Sequence, residues 1–322
     1  MKKFSLLVLF IILLFLALST LFIGKYSLEF NDYITAFSGD NVLANVIITE
    51  IRLPRILAAI LIGAGLSISG AAYQAMFVNP LVSPSVLGVL SGASFGAALA
   101  MVLRLDIYSM QILTFIFGVL AVVIAVAISF INQTSRILML VLGGIISGAI
   151  FSSLSSVIKY FADPNEVLPN ITYFLMGSLS YANKSTVLAV SPVMIICILV
   201  ILALSKQLNA LSLGDEEAKS LGINTTLLKA VLIVATTLVS SLSVLLAGVI
   251  GWIGLVVPHI CRFIYGSDNR YVIGASAICG AIFLLLCDTF AKEVMSYEIP
   301  IGLVTSLFGI PIFIIALFRS RI

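Results

Sequence analysis

Apolar residues run through this chain in long blocks separated by short polar tips, and the block length is the first clue to its surroundings. Windows long enough to cross about 30 Å of hydrocarbon fall near residues 4–24, 55–76, 84–104, 110–131, 137–161, 187–205, 228–249, 252–265, 271–291 and 300–318. The pattern predicts an all-α integral membrane protein with ten transmembrane helices. An even number puts both termini on one side. The eighth window is short and holds Pro258, so neighbouring helices must satisfy the backbone groups that the break frees. Between Asp163 and Lys184 the stretch DPNEVLPNITYFLMGSLSYANK has an apolar run too short to span. It predicts a partly inserted outer helix between the fifth and sixth spans.

Composition agrees with the pattern. Of 322 residues, 61% are hydrophobic and 10% charged, against roughly a quarter charged in soluble domains. No linker or polar block of domain size interrupts the chain, so residues 1–322 read as a single polytopic transmembrane domain. The first apolar run exceeds a secretory h-region and lacks a small-x-small cleavage pattern before Lys25, so a retained first helix is expected. Cys197, Cys261, Cys279 and Cys287 sit in apolar segments without C-x-x-C pairing. With His259 the only histidine, neither a disulfide framework nor a His-based metal cage is indicated.

A cytoplasmic N-terminus sorts the basic residues. Lys2, Lys3, Arg136, Lys206, Lys219, Lys229, Arg262, Arg270, Arg319 and Arg321 fall inside; Lys25, Arg52, Arg55, Arg104, Lys159, Lys184 and Lys292 fall outside. Ten against seven is a weak bias in the direction that sets topology, and it gives both termini to the cytoplasm. Arg52 and Arg55 share one short outer loop. Small residues recur every four positions as Gly63, Ser67 and Ala71 in the second span and Gly88, Gly92, Gly96 and Ala100 in the third. Such stripes let helices approach closely where lipid supplies no hydrophobic drive.

The stretch SLGDEEAKSLGIN, residues 212–224, breaks the apolar rule with three consecutive acids. Span counting places it in the cytoplasm between the sixth and seventh helices. Ser212 stands three residues before Asp215 as in a capping box, Asp215 and Lys219 are spaced i, i+4, and Gly222 follows as a stop. A helix of about two turns is predicted, with Leu211, Leu213, Ala218 and Leu221 as its apolar positions. Joining adjacent helices needs only about four to six residues, and this connection spends far more. Both a solvated loop helix and a docking surface for a cytoplasmic partner fit that excess.

The phrase LGDEEAKSLGI resembles the coupling-helix motif of the FecCD family, permease subunits of ABC importers for iron-siderophore complexes, haem and cobalamin. Further phrases agree in order along residues 50–320: RLPRILAAILIGAGLSISGAAYQAMFVNPLVSPSVLGVLSGASFGA, FLMGSLS, GVIGWIGLVVPHICR, DNRYVIGASAICGAIFLLLCDTFAK and EIPIGLVTSLFGIPIFIIAL. The resemblance implies a permease paired with a second copy or sister chain and served by two cytoplasmic ATPase subunits. A periplasmic or lipid-anchored substrate-binding protein would deliver the cargo, in a bacterial plasma (inner) membrane. It implies ATPase coupling by Leu213, Gly214, Asp215, Glu216, Glu217, Ala218, Leu221 and Gly222. Binding-protein docking falls to Arg52, Arg55 and Lys292, the last a lysine where the family has arginine. The cytoplasmic gate falls to Asn79 and Leu81 in VNPLVSP, with Thr134 and Ser135 a looser match; Pro80 and Pro84 equally suit a plain turn.

The chemistry of the residues limits what else the chain can be. It carries no G-x-x-x-x-G-K-[ST] phosphate loop, so ATP and Mg belong to partner subunits and no cofactor is expected on this chain. Without paired catalytic carboxylates or H-E-x-x-H no catalytic or metal site is expected, and no nucleic-acid partner is expected. An ion-coupled secondary transporter is the rival reading, but it would keep acids near the bilayer midplane, and none is evident. Asp288 near the outer end of the ninth span is expected to pair with Lys292 at i+4. His259, following Pro258, is expected to order the broken eighth helix. The cargo expected from the resemblance is an iron-siderophore or related chelate such as haem or cobalamin; an oxyanion is not separable from these on residues alone.

Overall fold

In hydrocarbon every backbone N–H and C=O must find a partner within the chain, which leaves helices as the ready solution for a chain this apolar. The computed structural model of the protein describes residues 2–38, 41–131, 136–295 and 297–319, and its regular structure there is entirely helical. In chain order the helices are α1 (Lys2–Phe22), α2 (Phe30–Ser38), α3 (Val42–Val46), α4 (Leu53–Met76), α5 (Val89–Val102), α6 (Ile107–Ser129), α7 (Arg136–Phe161) and α8 (Val167–Met176). After a short connection follow α9 (Lys184–Ala203), α10 (Ser205–Leu211), α11 (Asp215–Ser220), α12 (Thr225–Ala247), α13 (Ile253–Tyr265), α14 (Asn269–Glu293) and α15 (Ile301–Arg319).

Seven helical segments among the described residues are long and apolar enough to cross a membrane: Phe4–Phe22, Val42–Met76, Ile107–Ser129, Ile137–Phe161, Lys184–Ala203, Thr225–Ala247 and Asn269–Glu293. The third, eighth and tenth expected windows correspond to the shorter or interrupted α5, α13 and α15. Two boundaries differ from the sequence pattern. The second span starts at Val42, not residue 55, because a π-helical stretch, Ile47–Arg52, joins α3 to α4 without a break and lets Pro54 enter as the first turn of α4. The third window is split: Pro84–Leu87 makes a single 3-10 turn, and Gly88 adopts φ 78° before α5 begins. Gly88 therefore serves a left-handed cap that a side chain would strain. It is not part of the helical stripe.

The core is organised around α4, which packs on α9, α12, α13 and α14. Its contact with α14 is a backbone contact. A Cβ on Gly280 would lie 2.2 Å from Gly63 O, and one on Gly63 would lie 2.3 Å from Gly280 O. The small-residue stripe thus seats one helix on the next, as close packing in lipid requires. Gly92 and Gly96 of α5 do the same against the carbonyls of Phe117 and Leu113 on α6.

The eighth window is short as expected but is not broken at Pro258: α13 runs without interruption from Ile253 to Tyr265 with Pro258 inside it, and the irregular backbone lies before it, where Gly248 and Trp252 take positive φ. Gln74 of α4 donates to Leu255 O at 3.3 Å, a neighbouring helix supplying a partner beside the proline. The His259 ring packs on Phe313 with centroids 5.2 Å apart, so this residue ties α13 to α15. The ten-residue α8 is too short to cross a bilayer and occupies the place expected for the partly inserted helix.

Candidate coupling, gate and docking sites

α4 defines the two ends of the molecule: Arg55 stands in its first turn, and its last residues lead into the turn that carries Asn79. That turn begins where Asn79 N–H bonds to Gln74 O at 3.1 Å and Val78 takes φ 50°. Asn79 Oδ1 then accepts from Leu81 N–H at 2.9 Å, an Asx-turn that fixes the loop from its own side chain. Both Asn79 and Leu81 are exposed. Thr134 and Ser135, the other expected gate residues, lie outside the described residues.

The acidic segment folds as a six-residue helix, α11, stopped by a Schellman motif in which Ile223 N–H bonds to Ala218 O and Gly222 N–H to Lys219 O. Gly222 is the expected stop, at φ 81°. The other local expectations are replaced. Ser212 makes no capping box: its hydroxyl lies at the end of α10 and donates to Leu208 O at 2.6 Å, and Gly214 precedes the helix at φ 120°. Asp215 pairs with Lys229, the fifth residue of α12, not with Lys219. A helix this short offers little frame for an i, i+4 pair, whereas the adjacent long helix holds a lysine ready. Ala218 and Leu211 are wholly buried, while Leu213 is 67% and Leu221 63% exposed beside exposed Glu216 and Glu217. The outcome is a buried foot and an outward face of two acids flanked by two leucines.

The turn and the two leucines that flank the acidic helix share a cavity of about 730 Å³, whose lining includes Asn79, Pro80, Lys206, Leu213, Leu221 and Arg262. Coupling and gate residues predicted from separate parts of the chain are therefore walls of one space. On the floor of that space sequence reading missed Gln74 and Arg262; polar side chains inside apolar windows were the available signal.

At the opposite end the expected docking arginines point into the protein. Arg52, 8% exposed, donates to Leu21 O at 2.6 Å, to the Tyr33 hydroxyl at 2.6 Å and to Tyr26 O at 2.5 Å. It pins the end of α1 and the segment after it. The π-helical stretch supplies the turn that aims this residue inward, a local irregularity common at functional positions. Arg55 bridges Asp288 and Glu298, each at 2.8 Å. The expected Asp288–Lys292 pair is thus corrected: the carboxylate faces α4, where the planar guanidinium offers two donors to it. Lys292 is half-buried nearby, close enough to feel both Asp288 and Arg55. Glu298 also accepts from the Ser180 hydroxyl, so the cluster joins α4, α14, the turn after α8 and the approach to α15. Among the described residues no group of three or more His, Cys, Asp or Glu side chains is placed to hold a metal.

Long apolar helices, an intramembrane glycine-packed core and a capped acidic helix beside a turn at one end define an integral membrane permease. Residues 9–319 match the model of the FecCD transport family, and the chain belongs to that family. It is 36% identical over 320 residues to a molybdate import system permease protein of Haemophilus influenzae, covering 97% of this chain and 94% of the relative. Against a hemin transport system permease protein of Yersinia pestis it is 36% identical, covering 97% and 95%. A solved structure described as an inward-facing conformation of a metal-chelate type ABC transporter superposes with a TM-score of 0.88 at 34% identity, covering 98% of this chain and 99% of that one. This is an ABC importer permease of the metal-chelate type, a transporter and not an enzyme, from a family that works with ATPase and substrate-binding partners.

Proposed function

We propose that the chain carries an iron-siderophore, or a related chelate such as haem or cobalamin, from a substrate-binding protein to the bacterial cytoplasm across the plasma (inner) membrane. In this reading two permease chains, identical or sister, engage two ATPase subunits. The observation that carries it is that Leu213 and Leu221, exposed on either side of α11, line the same cavity as Asn79 and Pro80, with exposed Glu216 and Glu217 between the two leucines in sequence. Asp215, with its Lys229 bridge, and buried Ala218 root this segment, while Gly214 and Gly222 bound it. The α11 end is assigned to the cytoplasm, together with the N-terminus: Lys2 Nζ donates to Tyr265 O at 2.6 Å, next to residues 267 and 268 that line the cavity.

At the other end Arg52, Arg55 and Lys292 are proposed to guide carboxylates of the binding protein. Arg52, bound inward to neutral oxygens, acts through its field, which governs encounter and register more than affinity, whereas the charge of Arg55 is offset by Asp288 and Glu298. A molybdate-type oxyanion is the second reading for the cargo, favoured by a molybdate permease relative as similar over the same span as the hemin one.

The test is uptake by the complete complex in proteoliposomes, with its own binding protein loaded with each candidate. Uptake of one chelate that needs both ATP and the binding protein is expected. Molybdate uptake alone selects the second reading, and uptake driven by an ion gradient without ATP overturns both. In the same system Glu216→Lys with Glu217→Lys should lower recovery of the ATPase with the permease while leaving membrane insertion intact.

A further inference from the structure

The Asn79 turn and the two leucines that flank α11, Leu213 and Leu221, line one cavity, so displacement of the coupling segment has a route to the turn along its wall. A continuous set of hydrogen bonds runs along that wall. Ser212, at the end of α10 and two residues before Gly214, accepts from Asn269 Nδ2 at 3.1 Å. Asn209 of α10 accepts from Asn269 N–H at 2.7 Å and donates to Asp268 Oδ1 at 2.8 Å. Asn269, the first residue of α14, is wholly buried, and its Oδ1 accepts from Arg262 Nη1 of α13 at 3.1 Å. Arg262 then donates through Nη2 to Ala71 O at 3.1 Å and through Nε to Gln74 Oε1 at 3.3 Å, both on α4. Gln74, 3% exposed, closes the series by accepting Asn79 N–H on its own carbonyl.

We propose that Asn269 and Arg262 are the positioning residues that carry movement of the coupling segment to the gate turn, through Ser212, Asn269, Arg262, Gln74 and Asn79. This rests on the coupling reading of α11. The chemistry suits transmission. A guanidinium is a planar fork with donors in fixed directions, so it fixes α4 relative to α13 and α14 in orientation as well as distance. Every acceptor it uses here is a neutral oxygen. Buried polar groups that lose their partners are costly, so α10, α13, α14 and the end of α4 shift together or exchange partners in one step. Neutral acceptors make that exchange less costly than breaking a buried ion pair. Spatial continuity alone does not establish coupling; a difference in how two sites respond does.

The experiment uses the reconstituted complex of permease, ATPase and binding protein, with a spin label at exposed Leu81 in one sample and at exposed Ser220 in another. In the wild-type background both labels should change environment on ATP binding. With Asn269→Leu or Arg262→Met the Ser220 label should still respond, the Leu81 response should disappear, and cargo moved per ATP hydrolysed should fall about tenfold. Asn269→Asp, which keeps an acceptor for Arg262 but loses the Nδ2 donor to Ser212, should leave the Leu81 response weakened, as Ser212→Ala does, with the Ser220 response intact; a role in folding alone would not split the two labels. Ser212→Ala, which removes one contact at a half-buried position, should weaken the Leu81 response in a chain that folds normally. A Leu81 label that responds fully in Asn269→Leu, or in Ser212→Ala if the former does not fold, overturns the linkage and leaves the coupling reading standing. A Ser220 label silent in the wild type removes the coupling reading, and the linkage falls with it.

Discussion

Arg55 and Asp288 are 233 residues apart in sequence, yet the guanidinium of one stands 2.8 Å from the carboxylate of the other, with only 4% of the Asp288 side chain exposed. Removing one partner of such a pair leaves the other charge buried and uncompensated. Arg55→Ala should therefore destabilise the protein by about 3–5 kcal/mol, read as a lower unfolding temperature in detergent. The double variant Arg55→Leu with Asp288→Leu should cost less than the sum of the single changes. Additive losses would show that the contact contributes little.

The same cluster predicts an acid limb. Burial alone would raise the Glu298 carboxyl, but hydrogen bonds from Arg55 and Ser180 outweigh it and hold Glu298 below its ordinary range. A carboxylate depressed in the folded state stabilises it above the unfolded pKa, and that contribution is lost as pH falls through the folded value. Unfolding temperature should be level above about pH 5 and drop below about pH 4, near the ordinary glutamate value. Glu298→Gln should shallow that drop. An unchanged acid limb in the variant would place the sensitivity elsewhere.

Close backbone approach predicts a sharp contrast within one helix. Gly280→Ala puts a methyl 2.2 Å from Gly63 O, while Gly274→Ala meets nothing within 4 Å. The first should cost about 1–3 kcal/mol through forced separation of α4 and α14. The second should be neutral or stabilising by up to about 1 kcal/mol, since alanine favours helix. Thermal unfolding of the two variants decides the matter; equal effects would contradict the packing described.

Leu213 and Leu221 are exposed leucines beside Glu216 and Glu217, the acids proposed to couple to the ATPase. Leu213→Ser with Leu221→Ser should reduce co-purification of the ATPase several-fold while changing permease stability by no more than about 0.5 kcal/mol per site, as exposed positions usually do. Full recovery of the complex would remove these leucines from the partner surface.

Much of this protein was legible along the chain, for identifiable reasons. A bilayer imposes a length and a composition on each helix, so apolar windows disclosed the membrane class, the short eighth segment, the short α8 and the presence of a short helix at Asp215. Gly222 revealed its stop because a left-handed cap is a local requirement. Interactions between neighbours in sequence were the poorer guide. Ser212 before Asp215, Asp215 near Lys219 and Asp288 near Lys292 all satisfied helix spacing rules, yet Asp215 and Asp288 took their partners from other helices and Ser212 donates back to Leu208 O of α10.

Sequence by itself determined what is set locally: which stretches enter lipid, where they stop and which small residues permit contact. Tertiary structure alone decided where charge goes, because a buried polar group takes whichever partner the packing of helices brings within about 3 Å, and that distance is not written in the spacing along any one of them. For that reason Arg52 and Arg55, neighbours on a tip that reads as solvent-facing, turn inward to Leu21 and Asp288. Arg262, unremarkable in an apolar window, ties α13 to Asn269 of α14 and to Ala71 and Gln74 of α4 for the same reason.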